Sequence, residues 1–217
     1  DQGISPMRSF ISSMKGIVNN ALANADSSAR ESLGRQFNEL IVQMNTTAID
    51  SSYQGVNLLR NEETTTVQFN ETFDQSSLDV KGFNIGGPGT DNAAAVDTNG
   101  NLETAGGFAG KEVWTVDSSG DRISNAGYAM ALSVQGSSEA FGIQSAQIGT
   151  VTNSGAISWT DASYKDELAG LINELENFDA AIKSQASSLA SNLATITIRE
   201  EFASNMINTL NEGSDKL

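Results

Sequence analysis

Apolar residues recur at steps of three and four at both ends of this chain and lose that rhythm in the middle. Near the start, Ile4, Met7, Ile11, Met14, Val18 and Ala21 fall on one stripe, and Leu33, Phe37, Leu40, Met44 and Thr47 on a second. Near the end, Leu168, Leu171, Leu175, Phe178, Ile182, Ala186, Leu189, Leu193 and Ile196 form a third, which Phe202, Met206 and Leu210 extend. Such spacing predicts helices with one narrow apolar face. A lone stripe cannot leave water without a partner. The pattern therefore predicts an α+β fold: a long antiparallel, coiled-coil-like helical rod from both chain ends, with a β-rich domain inserted. Rod packing is assigned to Met7, Ile11, Met14, Leu33, Phe37, Leu40, Met44, Leu168, Leu175, Ile182, Leu189, Leu193 and Ile196.

The first stripe breaks at Asn24, Ala25, Asp26 and Ser27. Ser28 and Glu31 then read as a capping box, in which the two side chains satisfy free N–H groups of a new helix. That helix is expected to reach about Asp50. Ser51, Ser52 and Gly55 end it, and Val56, Leu58 and Leu59 follow as a short apolar anchor. Ser163 to Asp166 reads as the next helix start. From there to about Asn211 the chain holds one glycine, Gly170, and no proline. A helix of about 48 residues is about 70 Å long.

Between these ends, glycine, asparagine, serine and threonine dominate, and the apolar period drops towards two. Strands are expected at 64–69, 78–83, 112–116, 128–134 and 156–159. Gly86-Gly87-Pro88-Gly89, Asn99-Gly100 and Ser119-Gly120 mark turns. Trp114, Trp159, Phe83 and Phe141 are the expected core of this region. The two tryptophans have a second reading, as a platform on which sugar rings stack. The division is 1–59 and 162–217 for the two parts of the rod and 60–161 for the insert. The insert is expected to fold semi-independently and to be removable while the rod survives.

Charge narrows the partners. The chain has 27 acids and 12 bases, a net of −15. Residues 56–162 hold thirteen acids and four bases, so most of the excess sits in the middle. Nucleic acids and anionic membranes require basic patches, and neither is expected as a partner. No apolar run is long enough for a transmembrane helix, and no signal peptide opens the chain. The absence of cysteine excludes disulfides and thiolate metal sites, and the absence of histidine removes the commonest general base. No calcium-loop motif is present, and no metal or cofactor is implied. Asp117 and Asp121 form a carboxylate pair that reads more simply as loop solvation. No nucleophile motif accompanies them, and the chain is not expected to be an enzyme. Trp114, Trp159, Tyr128, Lys81, Lys111 and Arg122 are the candidates for binding an acidic polysaccharide such as alginate. The start at Asp1 and a helix running almost to Leu217 read as ends that have been cut.

Two segments resemble a known family. Tyr53-Gln54-Gly55-Val56-Asn57-Leu58-Leu59 resembles the F-N-G-x-x-L-L motif of bacterial flagellins. Arg199 to Gly213 is similar to their closing helix, R-x-x-F-x-x-x-M-I-x-x-L-x-x-G. The likeness covers roughly residues 4–59 and 165–217, with the insert where the family varies. It implies a structural subunit of the flagellar filament, extracellular and on the flagellum or cell surface, exported through the flagellum's own channel. The full-length protein would self-associate, and this stretch, lacking the outermost helices, would be a monomer. The hook–filament junction protein shares the two-ended plan and remains an alternative, as does a flagellin-like surface protein that binds polysaccharide. The family's receptor-recognition motif L-Q-R-x-R-E-L has lost its arginines and glutamate here, in Ile11-Ser12-Ser13-Met14-Lys15-Gly16-Ile17, which puts that recognition in doubt. A zinc protease of the kind some flagellins carry is excluded by the lack of histidine.

Overall fold

The computed structural model describes residues 4–52, 57–60, 64–69, 76–86, 98–99, 112–116, 119, 122–124, 130–134, 139–147 and 156–215. For 112–116, 122–124, 130, 133–134, 139–141 and 215 the backbone alone is described. These residues form three helices and small sheets, a mixed α+β arrangement with one long C-terminal helix.

The first stripe folds as α1 (Ile4–Ala23) and buries Met7, Ile11, Met14, Val18 and Ala21. The break at 24–26 turns the chain back into α2 (Ser27–Asp50). The cap of α2 is Asp26, whose carboxylate accepts the Ser28 and Ala29 N–H groups at 3.2 Å each. The capping box expected at Ser28 and Glu31 is therefore displaced. Asp26 stands in extended backbone just outside the first turn, where a side-chain acceptor meets the free donors, while Ser28 is already helical. At the other end, Asn57 donates to the Ala48 and Ile49 carbonyls at 2.8 and 2.9 Å, closing the helix terminus.

The face that α2 buries is Arg30, Gly34, Phe37, Asn38, Ile41, Met44, Asn45 and Ala48. Phe37 and Met44 lie on it as the spacing predicts. Leu33 and Leu40 are only partly buried beside it. The stripe is rotated because α2 packs on α1 on one side and on sheet residues on the other. A helix with two neighbours buries more than one narrow stripe.

The middle forms nine short strands among the described residues. β1 (Thr64–Gln68) and β2 (Ser77–Lys81) make an antiparallel hairpin. β3 (Phe83–Gly86), β4 (Glu112–Val116), β5 (Arg122–Ser124), β6 (Met130–Val134) and β7 (Glu139–Ile143) make one sheet in the order β3-β6-β7-β4-β5. Its register sets Ile85, Leu132, Phe141 and Trp114 in one cross-strand row. β8 (Ser145–Gln147) and β9 (Ala156–Ser158) form a parallel pair. The Leu58 and Leu59 carbonyls accept the Phe83 and Ile85 N–H groups at 2.9 Å, so the short apolar anchor joins the edge of β3.

α3 (Tyr164–Asp215) has 52 residues and is about 78 Å long. Arg8 meets Asp179 and Lys15 meets Glu176, so α1 and α3 run antiparallel where they touch. α3 buries Leu168, Leu171, Leu175, Phe178 and Ile182, and Leu189 packs partly against the same cluster. Beyond it the helix stands clear: Leu193 is 64% exposed and Leu210 is 66% exposed. The long rod pairing residues 4–50 with 165–212 is thus not what the described residues show. α1 and α2 fold back on each other as a hairpin, and α1 flanks only the first part of α3.

One hydrophobic cluster runs through helices and strands alike. It joins Met14, Phe37 and Leu175 to Phe83, Ile85, Leu132, Ile143, Ala146, Ile157 and Trp159. No break in packing falls between the helices and the insert among these residues, which removes the ground for expecting the insert to be separable. Replacing 60–161 by a short Gly/Ser link is expected to cost most of the helical circular dichroism of α1 and α2 at 37 °C, because it strips the cover from Phe37 and Ile41. Leu175→Asp or Ile182→Asp is expected to lower stability by about 3 kcal/mol or more, read as a shift of the urea midpoint. Leu193→Asp is expected to stay within about 0.5 kcal/mol of the parent.

Candidate functional site

The residues assigned to the rod separate into two groups. Met7, Ile11, Met14, Phe37, Met44, Leu168, Leu175 and Ile182 are buried, and Leu33, Leu40 and Leu189 are partly buried against them. Leu193 is exposed and Ile196 is half-buried outside that cluster, so neither belongs to a seam within this chain. The residues assigned to a ligand do not gather into a described site. Trp159 is fully buried, with its ring 5.4 Å from that of Phe37, which rules it out as an open stacking platform. Lys81 ends β2 on the surface. Trp114 and Arg122 have described backbone in β4 and β5 only, and Lys111, Tyr128, Asp117 and Asp121 lie outside the described residues. Among the described residues, no group of three or more acidic side chains is placed to hold a metal ion, and no helix is long and apolar enough to cross a membrane.

Polar side chains on the helices hold the strands in place. Asn38 is fully buried, donates to the Ala146 carbonyl and accepts the Ala146 N–H, both at 2.9 Å. It does for β8 what a neighbouring strand would do. Glu174 accepts the Gln144 N–H at 2.9 Å, and Glu167 accepts the Ser158 N–H at 2.6 Å. Arg30 is the joint of the whole arrangement. Its Nε donates to the Trp159 carbonyl at 2.7 Å, its Nη1 donates to the Asn24 and Ala25 carbonyls, and its guanidinium lies 3.8 Å from the Tyr164 ring centre. A planar, five-donor cation suits such a junction, where carbonyls and an aromatic face converge. Periodicity does not flag Arg30, Asn38 or Glu174. The available signal is slight: Arg30 and Glu174 are polar residues in phase with an apolar stripe, and Asn38 lies beside one.

α1 and α3 are clamped at the surface as well. Asp179 bridges Arg8 at 3.1 Å and Lys183 at 2.6 Å. Partial burial raises the Asp179 carboxyl, but the hydrogen bonds and charges of Lys183 and Arg8 outweigh it and hold the group below its usual 3.8.

The exposed second half of α3 is the feature that stands apart. Leu193, Ile198, Phe202, Met206, Ile207 and Leu210 are all at least half exposed. They occupy two faces of one helix. Ile198, Phe202 and Met206, with Ala203, line a groove of about 440 Å³ against Phe69 and Ser76 of the β1–β2 hairpin. The hairpin is pinned there by Arg199, which donates to the Ser76 Oγ at 2.7 Å and lies 4.5 Å from the Phe69 ring centre. A second stripe, which shares Ala203 with that groove, carries Leu189, Leu193, Ile196, Glu200, Ala203, Ile207 and Leu210 at steps of four and three. That is the spacing of a coiled-coil seam, of which Leu193, Ile207 and Leu210 are exposed and Ile196 is half-buried. Chemically the surface offers apolar contact and no reactive group.

No family model, curated protein or solved structure matches this chain.

The Asp179 clamp gives a pH dependence. A carboxyl lowered by folding adds stability that is present above its unfolded value and is lost as pH falls through the lower folded value. Asp179→Asn is therefore expected to shift the urea midpoint downwards at pH 7. The gap between variant and parent should close only below about pH 4, and a gap that persists unchanged at pH 2 would mean that the ion pairs do not produce it.

Proposed function

We propose that this chain is the rod-and-insert part of a flagellin-type subunit of the bacterial flagellar filament, and that its work is assembly. The observation that carries the reading is the uncovered apolar seam of α3. Soluble chains seldom expose a contiguous apolar surface of this kind unless another surface covers it. A helix extending more than twenty residues past its own core needs such cover to remain a stable helix. The two flagellin-like segments support the same reading from the sequence, since one holds the capping residue Asn57 and the other coincides with the exposed part of α3. In this reading the clamped helices and the strands that share their core form the framework, and the seam contributes to packing between or along subunits. The location is extracellular, and no catalysis is involved. In dilute solution the chain alone is a monomer.

The test is a chimera in which this chain replaces the corresponding part of a flagellin, between that protein's own terminal helices, in cells lacking a filament protein. Filaments visible by electron microscopy are expected. Leu193→Asp with Ile207→Asp in the chimera should abolish them while the protein is still made and folded. Failure of the unsubstituted chimera to assemble, with the parent flagellin assembling in the same cells, overturns the proposal.

A further inference from the structure

Asn99-Gly100 is the one Asn-Gly pair in the sequence. Asn99 stands in a turn and is exposed, as is Thr98 before it. Its main-chain carbonyl accepts a hydrogen bond from the Arg35 Nε at 3.0 Å. Arg35 lies on the outer face of α2, where Glu31, one turn earlier, binds its Nη2 at 2.6 Å. The guanidinium is thus held from two sides, by a carboxylate and by the carbonyl of one particular peptide bond.

That peptide bond is a reactive one. The side-chain amide carbon of an asparagine, Cγ, can close a five-membered ring with the main-chain nitrogen of the next residue. The attack requires that nitrogen to lose its proton, and glycine hinders the approach least because it has no Cβ. Deprotonation puts negative charge on the nitrogen and, by resonance, on the carbonyl oxygen of the same peptide unit. In this chain that oxygen is the one Arg35 holds. A fixed cation at an oxygen where charge develops lowers the barrier. The Arg35 hydrogen bond therefore favours the anion that reacts, besides tying the turn to α2.

From this geometry we propose that Asn99 is a self-modification site, converted to isoaspartate and, in smaller share, to aspartate, with Arg35 promoting the conversion. Hydroxide or water takes the Gly100 N–H proton. The nitrogen bonds to Asn99 Cγ, the Cγ–Nδ2 bond breaks, and the side-chain nitrogen takes up a proton from water and leaves as ammonia. The product is a cyclic succinimide, which water opens in one of two ways. Addition at Cγ gives aspartate. Addition at the main-chain carbonyl carbon breaks its bond to the Gly100 nitrogen, routes the chain through Cγ and frees an α-carboxylate. Nothing is oxidised or reduced in either route. One oxygen of that α-carboxylate is the atom bound to Arg35, so the guanidinium that favours ring closure also polarises this carbonyl and pairs with the charge that results. Each converted chain gains one negative charge where the turn is tied to α2. The mark accumulates with the age of the chain, needs no enzyme, and is independent of assembly.

The test is to hold the folded chain in warm, mildly alkaline buffer and sample it over days. Peptide mapping by mass spectrometry locates each exchange of NH2 for OH, and labelling with an isoaspartyl methyltransferase counts the isoaspartate. Asn99 is expected to convert faster than any other asparagine. Arg35→Leu is expected to slow that conversion by about fivefold and to lower the isoaspartate share. The Arg35 side chain is 46% exposed, so this substitution leaves the fold intact, as circular dichroism would verify. Arg35→Lys, which keeps a cation on a flexible stem, should slow it less. A contact that merely restrains the turn gives the opposite sign, because its removal frees the turn and speeds the reaction. If Arg35→Leu converts as fast as the parent or faster, Arg35 does not promote the reaction and the proposal is overturned. Survival of Asn99 while other asparagines convert overturns it as well. In urea, where α2 is lost, parent and Arg35→Leu should convert at one rate, and a difference that persists there would place the effect outside the folded contact and sink the proposal.

Discussion

Burial of the α1 stripe is the constraint from which the rest follows. Met7, Ile11, Met14, Val18 and Ala21 are all at most 1% exposed. No single neighbour can enclose a helix face that wide, so α1 is held between α2 and the first part of α3. The reversal at 24–26 makes this possible by returning the chain along its own path. It also fixes how far support extends along α3. A hairpin of helices twenty and twenty-four residues long cannot flank a helix of fifty-two.

The strands join the helices by satisfying backbone groups as much as by hydrophobic contact. β8 and β9 are three residues each and, among the described residues, pair as strands only with each other. Leaving N–H and C=O groups buried and unpaired costs about 1–3 kcal/mol each. Asn38 and Glu167 supply partners to β8 and β9 from helix faces, and Glu174 does so for Gln144, just before β8. Arg30 does the same for the carbonyls where α1, α2, β9 and α3 converge. Helix and strand are therefore cut from one core, and the compositional border near residue 60 is not a mechanical border. The β1–β2 hairpin differs in kind. Its contact with α3 is through Arg199, Phe69 and Ser76, at the surface.

Helical periodicity made α1, α2 and α3 legible from the residues, including the break that begins at Asn24 and the end of α2 at Asp50. Spacing of three and four repeats over many residues, and few other structures tolerate it. The strands were less legible. The segments at 64–68 and 112–116 show the alternation of a half-buried strand, but β3, β7 and β8 contain glycine, alanine and serine that blur it. The candidate surface was half legible. Phe202, Met206 and Leu210 were visible as an extension of the stripe, while Leu193 and Ile196 looked like core because a stripe is the same whether it is covered or not.

The sequence by itself determined which segments are helical, where they break, and that each carries one apolar face, since these depend on near neighbours three and four positions apart. Tertiary structure alone decided which part of each face is used. It rotated the buried face of α2 towards Gly34 and Ile41, drew Arg30, Asn38 and Glu174 inside, turned Trp159 inwards, and left the seam from Leu193 to Leu210 open. The reason is physical. Burial depends on what lies across a face in space, and that partner is set by chain reversals, relative helix lengths and backbone groups in need of a bond, none of which is carried by periodicity.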